Sequence, residues 1–149
     1  MKKLLFIAIA VAIIVVIAFI ILSFISKKGQ AQGLKNGQLQ ACINPENCVV
    51  SEAIDGVSHT VEPLAFSTDK TAFLLKAKAA VQSIGGTIVT ADEHYIAATF
   101  SSAVFGFIDD LELRITDDNL LHFRSSSRVG RSDLGANKHR VDELKLLLL

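Results

Sequence analysis

Tryptophan is absent from this 149-residue chain, and tyrosine occurs once. Nowhere do basic and aromatic residues interleave, so the phosphate-contacting and base-stacking surface of a nucleic-acid binder is missing. The histidines His59, His94, His122 and His139 are scattered, with no His-x-x-x-His or His-Glu-x-x-His, and no metal site is expected. Neither a Gly-x-Ser-x-Gly elbow nor a Gly-x-x-x-x-Gly-Lys phosphate loop occurs, so neither a serine-hydrolase turn nor a nucleotide cofactor is indicated.

Charge is also missing from one long stretch. From Leu4 to Ser26, 23 residues contain no charged residue, no glycine and no proline. As a helix rising 1.5 Å per residue they span roughly 34 Å, slightly more than the hydrocarbon core of a bilayer. A cleaved signal peptide has a shorter apolar region and a small-x-small cleavage site. This run instead ends in Phe24-Ile25-Ser26-Lys27-Lys28, so residues 1–26 are read as an uncleaved transmembrane anchor. Lysines flank both ends, and the positive-inside rule is nearly balanced. Four of the fifteen Lys and Arg flank the run and all fifteen acidic residues follow it. The remainder therefore carries eleven positive against fifteen negative charges, a net −4.

The two cysteines, Cys42 and Cys48, bracket five residues that include Pro45. A disulfide closing that loop would place the domain in an oxidising compartment outside the inner membrane. The alternative is a pair of reduced thiols in a cytosolic loop. Zinc is disfavoured, since nothing local supplies two further ligands. Leu39-Gln40-Ala41-Cys42 faintly resembles a lipobox, but its Cys lies sixteen residues beyond Ser26, too far from the membrane edge for lipid attachment.

Residues 27–41 are rich in Gly, Gln and Lys without periodicity and read as a flexible tether. Residues 42–149 form the soluble domain. A short edge strand is expected within Val57–Phe66, limited by Pro63. Phe73, Ala77, Ala80 and Ile84 then recur at helical spacing, with Ser67, Thr68 or Asp69 as cap and Gly85-Gly86 as stop. Thr87–Ala91, His94–Ser102, the alternating stretch around Leu111, Leu113 and Ile115, and Leu120–Ser125 read as antiparallel strands. A last helix, capped by Asn137, carries Val141, Leu144 and Leu148 on one stripe. This order gives an α+β fold: a two-layer domain with an antiparallel sheet and two helices, preceded by one transmembrane helix.

The chemistry concentrates late in the chain. Residues 124–140 pack five Lys or Arg, four Ser, one Asn, two Gly and a single Asp into seventeen positions. Such a strip cannot fill an apolar core, so its groups must pair with each other, with Asp109-Asp110, or with a ligand. Neighbours in a strand point to opposite faces, so the two aspartates are poorly placed to share one substrate atom. Asp109 is expected to face the core, with Arg124 and Arg128 as its partners. Arg128 and Arg131 could also clamp Asp133. Alternatively, Arg128, Arg131 and Arg140 with Ser132 and Asn137 form an anion site at the start of the last helix. Ser125, Ser126 and Ser127 lack any motif that places a base beside them.

The pattern Cys-x5-Cys-Val-x-Ser at Cys42–Ser51, Phe107-Ile108-Asp109-Asp110, and the run from Arg124 through Asp133-Leu134-Gly135 to Asn137 and Arg140 resembles the family known as domain of unknown function 1499. The likeness covers about residues 42 to 145. It implies a bacterial or plastid protein, often secreted or membrane-bound, and implies no reaction. The expectation is a single-pass inner-membrane protein with a periplasmic domain and no cofactor. It would bind an anionic ligand, a lipid headgroup or an envelope protein through Asp109, Asp110, Arg124, Arg128, Arg131, Ser132, Asp133, Asn137 and Arg140. The rivals are a hydrolase using Asp109, Asp110 or Ser125–Ser127, and an assembly protein whose strip fastens the last helix.

Overall fold

A computed structural model describes residues 1–52 and 61–149. The elements in chain order are α1 (Lys2–Lys28), β1 (Leu34–Lys35), β2 (Gln38–Leu39), β3 (Cys48–Val50), β4 (Leu64–Ala65), α2 (Lys70–Ser83), β5 (Thr87–Ala91), β6 (Tyr95–Ser101), β7 (Ile108–Ile115), β8 (Leu120–Ser127) and α3 (Ala136–Leu148). The main sheet runs β3-β8-β7-β6-β5, with β4 also on β8, and every pairing is antiparallel. The architecture is the expected α+β one, an apolar helix followed by an antiparallel sheet and two helices. Of the expected strand at Val57–Phe66, only Leu64–Ala65 is seen, and residues 57–60 lie outside the described residues.

The period of two along β7 and β8 sorts side chains onto two faces. Leu111 lies opposite Ser125, Leu113 opposite Phe123 and Ile115 opposite Leu121. This face meets α2 through Phe73, Ala77 and Val81 and α3 through Val141, Leu144 and Leu148, forming the main core. The Asp69 side chain accepts the Ala72 N–H at the start of α2. Gly85, at φ +90°, ends that helix in a conformation that disfavours side chains with a Cβ.

The other face carries Asp110, Glu112 and Arg114 of β7 with His122, Arg124 and Ser126 of β8. An alternating antiparallel strand ordinarily leaves such a polar face in water. Here it is covered. Of residues 27–41, expected to be a structureless tether, Lys27 and Lys28 end α1 and the rest fold back across this face, with β1 and β2 paired as a hairpin. Leu39 is fully buried and joins Val50, Tyr95 and Ala97 in a second apolar cluster. The driving force is partly apolar and partly specific, since Gly33 and Leu39 each donate their backbone N–H to a buried carboxylate. Composition hid this, because Asn36 and Gly37, both at positive φ, look like linker residues while actually forming the tight turn between β1 and β2.

Helix α1 is 27 residues long and apolar enough to cross a membrane. Its last turns are not free of the domain. Ser23 Oγ donates to the Phe105 carbonyl at 2.5 Å, Ser26 Oγ accepts the Ile108 N–H at 3.2 Å, and Arg128 Nη1 donates to the Ser26 carbonyl at 3.0 Å. A cation on the final carbonyls of a helix satisfies an orphan acceptor and complements the helix dipole. Gly29 permits this approach, since a Cβ there would stand 2.9 Å from Arg128 Cδ.

Candidate functional site

The aspartate doublet and the late arginines do converge, though not in the expected pairs. Asp109 lies on the helix-facing side and binds Arg140, Nη2 to Oδ2 at 2.8 Å. Asp110 points the other way and receives Arg128 at both oxygens, 2.8 and 2.7 Å. Arg124 pairs with neither; it sits opposite Glu112 in the ladder and binds it at 2.7 Å. The reason is parity. Arg124 and Arg128 share the even-numbered side with Asp110 and Glu112, so neither can reach Asp109 through the sheet. Asp110 is also the more deeply buried of the doublet, at 3 % exposure, because residues 27–41 cover its face.

That covered face holds three carboxylates, each with its own arginine: Asp110 with Arg128, Glu112 with Arg124, and Glu52 with Arg114. Glu112 is fully buried and also accepts from Tyr95 Oη at 2.6 Å and Gly33 N at 2.8 Å. Burial, together with the bond to Glu112, pushes the Tyr95 phenol well above its ordinary value. Burial pulls His122 below its usual range against the pull of Glu52, and its Nδ1 meets Ser51 Oγ at 3.1 Å. Each carboxylate has its charge neutralised and its lone pairs occupied, the condition for burying it at all.

On the helix-facing side a second network fastens α3. Asn137 is the hub. Its Nδ2 donates to the Asn47 carbonyl, Ser127 Oγ and Asp133 Oδ2, and its Oδ1 accepts from Ser125 Oγ and Arg140 Nη1. Asn137 is therefore a buried cross-link within the first turn, not the cap expected from its position. The capping acceptor is Asp133, which receives the N–H groups of Gly135 and Asn137. Burial opposes ionisation of Asp133, yet those donors outweigh it and hold its carboxyl below the usual range. Asp133 thus serves the helix terminus rather than an Arg128–Arg131 clamp. Arg140 completes the network by lying over the Phe100 ring at 4.3 Å.

Two expected members stand apart. The Arg131 side chain is 89 % exposed and among the described residues pairs with Glu46 alone; Ser132 is exposed and accepts the Leu134 N–H. The anion site expected at the start of α3 is therefore not assembled by these two. The hydrolase arrangement fares no better among the described residues. Asp109 and Asp110 lie on opposite faces, Ser125 is fully buried and bound to Asn137 and Arg140, and none of Ser125–Ser127 bonds a histidine.

An open cleft adjoins the expected site on its covered face. About 350 Å³ in volume, it lies between the segment after α1, the cysteine loop and the end of β8, with Gly29, Asn44, Asn47, Asp110, Arg124 and Arg128 in its walls. Cys42 and Cys48 form a disulfide that closes the loop. Asn44 and Asn47 stitch that loop to the carbonyls of Arg131 and Gly130. Arg124 Nε is the one buried side-chain nitrogen or oxygen among the described residues without a hydrogen-bond partner. A buried donor left unpaired costs about 1–3 kcal/mol, and the residue that carries it also lines the cleft.

The sequence reading missed Glu112, Glu52, Arg114 and Tyr95. Glu112 was within reach, since it is two residues from Asp110 and pairing β7 with β8 sets it against Arg124. Glu52 meets Arg114 because the order β3-β8-β7 sets Glu52, His122 and Arg114 in one row, and the sequence does not show that β3 lies beside β8.

A model of the family described as protein of unknown function (DUF1499) matches residues 38–148, and the chain belongs to that family. A comparison with curated proteins gave no match.

Proposed function

We propose that this protein is a single-pass inner-membrane protein whose domain lies in the periplasm and acts as a non-enzymatic binding module. The ligand is an oxygen-rich anion, carried either by a lipid headgroup or by a small envelope metabolite. It enters the cleft between Gly29, Asn47 and the end of β8. The observation that carries this reading is the cleft wall, where Arg124 and Arg128 stand beside Asn44 and Asn47, with the buried Arg124 Nε left without a hydrogen-bond partner. A guanidinium N–H facing an anionic oxygen forms a charge-assisted bond worth more than a neutral one. The disulfide supports an oxidising compartment, and the docking of Ser23, Ser26 and Arg128 supports a retained helix over a cleaved one.

A second reading, a structural or assembly role, is favoured by the internal pairing of Arg128 and Arg140, which makes part of the strip a fastening. The two readings separate in a titration. In proton–nitrogen correlation spectra of the full chain in micelles, the Arg124 Nε–H resonance is expected to move saturably with inorganic phosphate. Chloride at matched ionic strength should leave it unmoved, and the Arg140 Nε–H serves as internal reference. An Arg124 signal indifferent to phosphate sinks the binding reading. For the location, Cys42 and Cys48 in intact cells are expected to take up a thiol reagent only after reduction. Labelling without reductant would exclude the periplasm.

A further inference from the structure

The β6–β7 connection lies against α1 at a depth that water does not reach if α1 spans a bilayer. Phe19 stacks on Phe105 with ring centroids 4.9 Å apart and meets Phe107 edge-on at 6.1 Å. Phe19 precedes Ser26 by seven residues, which places it roughly 10 Å inside the end of the apolar run. From Ser101 to Ile108 the connection carries no charge, and Val104 at its tip is 83 % exposed. Beside it, Leu134 is 97 % exposed, at φ +55°. A groove of about 310 Å³ runs between them, its apolar wall formed by Phe19, Leu22, Phe107 and Leu134, with Asp109 and Asp133 at its polar side.

A turn entering hydrocarbon must satisfy its own backbone. This one does so in part. Ser102 N–H donates to the Phe107 carbonyl, Gly106 N–H to the Ser102 carbonyl, and Phe107 N–H to Ser102 Oγ. The Phe105 carbonyl and the Ile108 N–H are taken by Ser23 and Ser26 of α1. In water this turn would expose Val104, and the connection between β8 and α3 would expose Leu134, with no gain, whereas in lipid their burial is favourable. Lys27, with its Nζ 5.7 Å from the Phe24 ring centroid, sits beside Gly106, where it would reach the headgroups.

We infer that the β6–β7 tip and Leu134 are sunk in the leaflet nearest the domain, and that a lipid acyl chain fills the groove between them and α1. This rests on reading α1 as a membrane anchor, so the test must separate the two. Because the chain contains no tryptophan, single Trp variants of the full-length protein report position directly. The variants are Val104→Trp and Leu134→Trp, with Ile14→Trp in mid-helix and Asp118→Trp at the far end of the sheet. Each is reconstituted in phosphatidylcholine vesicles whose acyl chains carry bromine. Val104→Trp and Leu134→Trp are expected to lose about half of their emission to bromine and to resist aqueous iodide, with Asp118→Trp doing the reverse. Iodide-sensitive emission at either position, with Ile14→Trp still quenched by bromine, overturns the inference and leaves the anchor standing. Equal bromine quenching at Asp118 also overturns it. An unquenched Ile14→Trp removes the anchor and the inference together.

Discussion

Replacing Arg124 with methionine is expected to lower the stability of the domain by about 3–5 kcal/mol, because it strands Glu112 as an uncompensated charge in a dry site. Glu112 has no exposed surface, and Arg124 is its sole cationic partner among the described residues. Tyr95 Oη and Gly33 N–H would remain as donors, but two neutral donors do not offset a buried carboxylate. The matching change Glu112→Gln, made on top of Arg124→Met, removes the charge and keeps an acceptor for Tyr95 and Gly33. It should therefore recover more than half of the loss. Denaturant unfolding of the detergent-solubilised chain measures both, with the two single variants closing a double-mutant cycle. A single Arg124→Met variant within about 0.5 kcal/mol of the parent, the usual range of an inconsequential surface change, would show that the pair is not buried in solution. The same variant also removes the donor on which the binding proposal rests, so phosphate titration of the stabilised double variant should be silent.

How much of this was legible beforehand depends on the range of the interactions. Local rules delivered α1, α2, α3 and the strands β5 to β8, because each rests on a period within one segment: Phe73, Ala77 and Ala80 on one helical face, Leu111, Leu113 and Ile115 on one strand face. The convergence of late arginines on Asp109 and Asp110 was legible as a matter of charge. Who pairs with whom was not, because it is set by which residues share a parity across β7 and β8. Arg140 reaches Asp109 because α3 packs on the odd-numbered face, a fact about layers and not about spacing. The segment 27–41 was misread for a different reason. Its few apolar residues include Leu39, which is fully buried only because the polar face of the sheet offers N–H acceptors for the backbone around it. No compositional rule sees a segment folded by its own main chain. The short loop between Cys42 and Cys48 left a disulfide and a pair of reduced thiols both open, and the bridge is what the structure adds.

Arg128 has the other large effect, and it separates stability from docking. Its guanidinium binds both oxygens of Asp110 and the last-turn carbonyl of Ser26 together. Arg128→Gln strands a carboxylate that is only 3 % exposed, and a loss of about 3–5 kcal/mol is expected, read as a fall in the unfolding midpoint. Adding Asp110→Asn removes the stranded charge and should return most of that stability. It cannot return the bond to Ser26. In both variants the amide of Gly29, which itself donates to the Ser26 carbonyl at 3.3 Å, should exchange with solvent faster by roughly tenfold, as the loss of a charged hydrogen bond worth about 1.5 kcal/mol implies. If the double variant restores both the midpoint and the Gly29 exchange rate, Arg128 holds only Asp110, and the helix end is secured by Ser23, Ser26 and Phe19 alone. If the midpoint returns while exchange stays fast, the guanidinium is the joint through which the domain takes its fixed angle to the helix. A cleft whose wall begins at Gly29 would then change shape with that angle.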